Sequence, residues 1–93
     1  MATFVWLVRD KMKLLKFEAE WCSACKMLSK VMEDMTFPYP VEHIDADKNS
    51  AALIEYGVRG LPTMILLDEN NNIVKKVIGY KNQDQLTKEL ELV

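Results

Sequence analysis

The only two cysteines of the chain, Cys22 and Cys25, stand three positions apart, a spacing that places both side chains on one face of a helix. Thiols this close can bridge, share a metal or exchange disulfides with another molecule. A bridge would be a poor staple, because closing a loop of about four residues restrains the unfolded chain by only about 2 kcal/mol, against about 4.7 kcal/mol for a loop of about 100. A structural zinc site needs two further good ligands, and the one other residue of the usual kind is His43. Two unrelated buried thiols would have no reason to share a helix face. The arrangement favours a redox dithiol without a metal.

A reactive pair needs a rigid mount. Leu14 to Ala19 reads as a strand running into Trp21-Cys22-Ser23-Ala24-Cys25, after which Met27, Leu28, Val31, Met32 and Met35 recur at helical spacing. The methionines are read as gap-filling core. Phe37-Pro38-Tyr39-Pro40 cannot prolong a helix, which sets its end near Thr36. Val41 to Ile44 is a short strand, and Asn49 or Ser50 can cap a second helix through Tyr56, closed by Gly57 in the left-handed conformation. Thr63 to Leu67 and Ile73 to Ile78 are strands joined by the turn-forming Asp68-Glu69-Asn70-Asn71-Asn72. Asn82 with Gln85 forms a capping pair for a last helix whose apolar stripe is Leu86, Leu90 and Val93. Thr3 to Val8 also has strand character, but the roughly four residues after it reach at most about 14 Å, too short for a crossover helix. That segment is expected as an edge strand or a loose arm; with Met12 as an alternative start, Met1 to Lys11 becomes an extension.

The 93 residues suffice for one domain, and 49% hydrophobic with 28% charged residues is an ordinary globular mixture. A net charge of −2 from 12 basic and 14 acidic residues excludes a nucleic acid or an anionic membrane as partner. The apolar or hydroxyl run from Ala2 to Val8 is far below the ~18 residues of a membrane span and lacks the flanks of a signal peptide. The expectation is one domain over residues 1–93, cytoplasmic, unprocessed and monomeric.

Trp21-Cys22-Ser23-Ala24-Cys25-Lys26 after a strand, followed by Val58-Arg59-Gly60-Leu61-Pro62-Thr63 before another, resembles the thioredoxin family over roughly Lys13 to Val93. Ala19-Glu20-Trp21, Asp45 after Ile44, Tyr56-Gly57 and Gly79 also fall where the family pattern places them. The resemblance implies an α/β, thioredoxin-like fold: a mixed four-stranded sheet, with a fifth strand if Thr3 to Val8 joins its edge, and helices on both faces. It implies a cis bond before Pro62 facing the two cysteines. Cys22 would be the nucleophile and Cys25 the resolving thiol, with Trp21 shielding the pair. The Leu61 main chain would bind an extended substrate in β-fashion, and Val58, Arg59, Gly60, Pro62, Ile78, Gly79 and Tyr80 would complete the contact surface. The implied partners are disulfide-containing proteins and a thioredoxin reductase or equivalent that restores the Cys22–Cys25 dithiol, with no bound cofactor.

Disulfide exchange requires a thiolate, and a free cysteine with pKa ~8.5 is only about 3% ionised at pH 7. The start of a helix stabilises an anion by roughly 0.3 to 2 kcal/mol, which lowers a pKa by about 0.2 to 1.5. Cys22 is placed to benefit. A pKa near 7 raises the thiolate fraction about sixteenfold while nucleophilicity falls about fivefold, so a low pKa matters more when Cys22 leaves than when it attacks.

Three features depart from the family pattern. Ser23-Ala24 stands where Gly-Pro is common, so Ala24 keeps an N–H and Ser23 adds a hydroxyl near the Cys22 sulfur, which predicts a couple more oxidising than ~−270 mV. Lys30 replaces a helix-kinking proline, so the first helix should run straighter. Lys16 stands where the family usually has a buried acid that takes the proton of the resolving thiol. Strand alternation puts Lys16, Glu18 and Glu20 on one face and Leu15, Phe17 and Ala19 on the other. The expectation is that Lys16 lays its stem along the core and carries its ammonium to water; the alternative is that it modulates the pKa of Cys25. His43 is read as structural. Two rival functions are a glutaredoxin-like enzyme, disfavoured because paired glycines and an acidic segment for glutathione are missing after the Pro62 strand, and a non-catalytic thioredoxin-like subunit, disfavoured by the retained dithiol.

Overall fold

Burial on both sides of its first strand organises the molecule. In the computed structural model, which describes residues 11–92, Leu14, Leu15, Lys16 and Phe17 are all buried in β1 (Lys13–Glu18). Such a run has to lie inside a sheet that carries cover on each face. The remaining elements are α1 (Ser23–Glu33), β2 (Val41–Asp45), α2 (Ser50–Glu55), β3 (Thr63–Leu67), β4 (Ile73–Ile78) and α3 (Gln83–Glu89). Among the described residues the sheet has the order β2-β1-β3-β4, with β1 parallel to β2 and antiparallel to β3, and β3 antiparallel to β4.

Alternation along the strands sorts the core into two layers. Leu14, Met64, Leu66 and Val77 pack with Leu28 and Met32 of α1 and with Leu86 and Leu90 at the end of the chain. Leu15, Phe17, Ile65 and Leu67 pack with Ala52, Leu53 and Tyr56 around α2. Helices therefore cover both faces, α1 and α3 on one and α2 on the other. The expected thioredoxin-like α/β architecture is the observed one.

Local signals act as read for β3, β4 and α3, whose Asn82 and Gln85 exchange side chain to backbone hydrogen bonds of 2.9 and 3.0 Å. Gly57 closes α2 at φ +64°, and Lys76 from β4 donates to the carbonyls of Gly57 at 2.7 Å and Tyr56 at 3.2 Å, a cation at a helix C-terminus. Asn49 stands at the N-cap of α2 without capping it, because its side-chain amide donates instead to the Asp45 carbonyl. α1 ends at Glu33 rather than near Thr36. Asp34 and Met35 turn back onto Val31 and Met32 with tight three-residue hydrogen bonds, which frees the chain to leave the helix a turn before Pro38. β1 ends at Glu18, and Ala19 belongs to the turn that delivers the cysteines, with the Cys22 N–H on the Ala19 carbonyl at 3.1 Å. The expectation for Thr3 to Val8, and Val93 of the last apolar stripe, lie outside the described residues.

Candidate active site

Cys22 is the N-cap of α1. Its backbone is extended at φ −90° and ψ 104°, and its Sγ accepts the Cys25 N–H at 3.1 Å. In most helices a hydroxyl or carboxylate oxygen fills this place. A neutral sulfur is a weak acceptor, whereas a thiolate is a strong one, so the cap favours the ionised form of Cys22. Cys25 lies one turn on with its Cα 5.2 Å from that of Cys22, and the two form a disulfide. Both are buried, packed with Ala19, Ala24 and Leu61.

The loop opposite carries the cis Leu61–Pro62 peptide bond. The Thr63 hydroxyl donates to the Gly60 carbonyl at 2.6 Å, and the Gly79 N–H donates to the Pro62 carbonyl at 2.8 Å, tying this loop to the end of β4. Gly79 has φ +87°, a conformation that side chains resist. Leu61 thus stands between the cysteines and a braced loop, just ahead of the β3 pairing that starts at Thr63. Trp21, Asp47, Val58, Arg59, Gly60 and Leu61 line one cleft of about 250 Å³. Ile78 and Tyr80, which flank Gly79, are exposed.

Trp21, expected to shield the pair, directly precedes Cys22. It is 68% exposed, and its indole N–H donates to Asp47 Oδ2 at 2.9 Å, while Ala24 and Leu61 make up the half-buried apolar cover of the cysteines. Asp47 was not anticipated from the sequence. Its carboxylate recruits the indole, and its own N–H is held by Asp45 Oδ1 at 2.9 Å.

Lys16 departs furthest from expectation. Its ammonium does not reach water: the side chain is 0% exposed and donates to Glu18 Oε1 at 2.6 Å, to the Cys25 carbonyl at 3.3 Å and to Ser29 Oγ. The stem cannot snorkel because α1 covers this face, and the charge is met inside by Glu18. Glu18 also faces His43, whose Nδ1 lies 3.2 Å from the same oxygen on the exposed side of β2. Partial burial pushes the Glu18 carboxyl up, but the hydrogen bonds and charges of Lys16 and His43 outweigh it and hold it below its usual range. Glu18, Ser29 and Cys25, with Glu20, Lys26 and Asp45, line a cleft of about 230 Å³ on the side of the dithiol away from Leu61. Glu18 was legible as a face-mate of Lys16 by strand parity, whereas Ser29 carried no signal beyond lying one turn after Cys25.

Among the described residues no three His, Cys, Asp or Glu side chains come together as metal ligands, and no helix is long and apolar enough to cross a membrane. A family model described as Thioredoxin matches residues 2–92. A thioredoxin of Chlamydia pneumoniae is 35% identical over 77 residues, covering 80% of this chain and 74% of the relative. A thioredoxin of Buchnera aphidicola is 35% identical over 90 residues, covering 92% and 82%. The solved structure of a mutant thioredoxin from Halobacterium salinarum superposes with a TM-score of 0.77 at 36% identity, covering 88% of this chain and 74% of that one.

Proposed function

The chain belongs to the thioredoxin family and is a thiol–disulfide oxidoreductase acting through Cys22 and Cys25, and from that premise we propose the cycle it runs. The Cys22 thiolate attacks a disulfide of a protein partner, forming a mixed disulfide and releasing one partner thiolate. Cys25 then attacks Cys22 Sγ, the second partner sulfur leaves, and the enzyme is left oxidised. Two electrons have passed to the partner, so an external reductase of the thioredoxin reductase type must restore the dithiol; no bound cofactor takes part.

The observation that carries this reading is the Cys22 sulfur serving as N-cap acceptor beside Cys25. Recognition falls to the Leu61 main chain, which meets an extended segment of the partner in β-fashion, with Trp21, Val58, Arg59, Gly60, Pro62, Ile78, Gly79 and Tyr80 around it. The braced loop and the cleft beside Trp21 support that assignment. The protein works as a single domain and a monomer in the cytoplasm, where a lone Cys-x-x-C pair is catalytic rather than a scaffold.

Insulin disulfide reduction tests the cycle. Wild type is expected to turn over, Cys22→Ser to fall to background, and Cys25→Ser to accumulate a mixed disulfide visible by mass spectrometry. Turnover retained in Cys22→Ser, or no trapped complex in Cys25→Ser, would reject it.

A further inference from the structure

The exchange reaction leaves open how Cys25 loses its proton, and the inference here rests on that reaction. Cys25 attacks only as a thiolate, and at 2% exposure an uncompensated thiolate would be costly. The rear of the dithiol answers that need. The buried Lys16 ammonium donates to the Cys25 carbonyl and to Ser29 Oγ, and its counter-ion Glu18 lines the same cleft as Cys25 and Ser29. A cleft of about 230 Å³ has room for several waters at about 30 Å³ each. The other charged groups facing this region are Glu20 after β1, Lys26 of α1, and His43 and Asp45 of β2. Glu20 is exposed, and Asp45 Oδ1 already accepts the Asp47 N–H. Glu18 is the carboxylate joined to the ammonium that touches the Cys25 peptide.

We propose that Glu18 accepts the Cys25 proton through water in this cleft, and that Lys16 is a positioning residue that stays cationic throughout. In the resolving step the proton passes from Cys25 Sγ through water to a Glu18 carboxylate oxygen. The bond between Cys25 Sγ and Cys22 Sγ forms as the bond between Cys22 Sγ and the partner's sulfur breaks, and that sulfur leaves with the electron pair as a thiolate. Glu18 then releases the proton to solvent. The negative charge opposite Lys16 moves from Glu18 to the Cys25 sulfur and then departs with the partner's sulfur, and release of the Glu18 proton to solvent restores the neutral ion pair. A lysine that never gives up its proton is therefore compatible with the reaction.

Single-turnover decay of a mixed disulfide between Cys22 and thionitrobenzoate reads this step, while formation of that adduct reports separately on the exchange reaction itself. Glu18→Gln keeps an acceptor for Lys16 and removes the base. Its decay at pH 7 is expected to slow about hundredfold, with the deficit shrinking as pH rises and hydroxide takes over, and with partial recovery in Glu18→Asp. A Glu18→Gln decay within about threefold of wild type, or a deficit equal at every pH, would overturn the assignment.

Discussion

The two sides of the dithiol are built from opposite materials. Towards Leu61 and Pro62 the cysteines meet apolar side chains and a loop braced by backbone hydrogen bonds; towards β1 the Cys25 carbonyl meets the buried Lys16 ammonium, which is joined to the partly exposed Glu18 carboxylate and the Ser29 hydroxyl. Backbone and apolar surface recognise many partners without discriminating sharply among side chains, whereas a buried ion pair acts only on what touches it. On the proposed cycle the contrast divides the labour: the front would select and align a disulfide, and the rear would manage charge during resolution.

The sharpest way to break this contrast is Lys16→Met. Removing one partner of a fully buried pair typically costs about 3–5 kcal/mol. Glu18 keeps 29% of its side chain at the surface and can hydrate, so the expected loss is smaller, about 1–3 kcal/mol by urea denaturation. A midpoint equal to wild type would mean that apolar filling replaces the rear ion pair without penalty. Next in size, Leu61→Ala should raise KM for a protein disulfide about five- to tenfold, the equivalent of roughly 1 kcal/mol of contact, while thionitrobenzoate decay stays near wild type. A loss in decay rate instead would give the front a share in resolution. The smallest effect concerns acid. Glu18 titrates lower in the folded chain than in the unfolded one, so its contribution to stability is complete above the usual carboxylate range and is lost as pH falls through the lowered value. Glu18→Gln should therefore narrow the difference between urea midpoints at pH 7 and pH 3, and an unchanged difference would detach Glu18 from the pair.

What could be read from the sequence tracks how local each determinant is. Thr63–Leu67 and Ile73–Ile78 were bounded correctly because turn residues flank them on both sides, and the Asn82–Gln85 capping pair lies within one helical turn. The cysteine pair was legible because its chemistry and spacing coincide, and the family resemblance supplied the cis bond at Pro62, which composition and periodicity do not encode. The fate of Lys16 was not legible. Parity placed Glu18 on its face, but whether the ammonium escapes to water depends on how closely α1 covers the sheet and on Ser29, thirteen positions along the chain. The same limit applies to Trp21, whose indole is held by Asp47, beyond both α1 and β2 in the chain. The end of α1 was overestimated because apolar spacing continues through Met35 after the hydrogen bonding has already tightened.

A helix whose terminating acceptor is also its reagent reports every covalent event at that atom as a change in mechanical footing. Alkylating the Cys22 sulfur leaves the first turn of α1 with a poorer partner than the free thiolate offered. An electrophile that labels this position should therefore loosen the domain as well as silence it, and occupancy could be followed by melting temperature without any redox substrate.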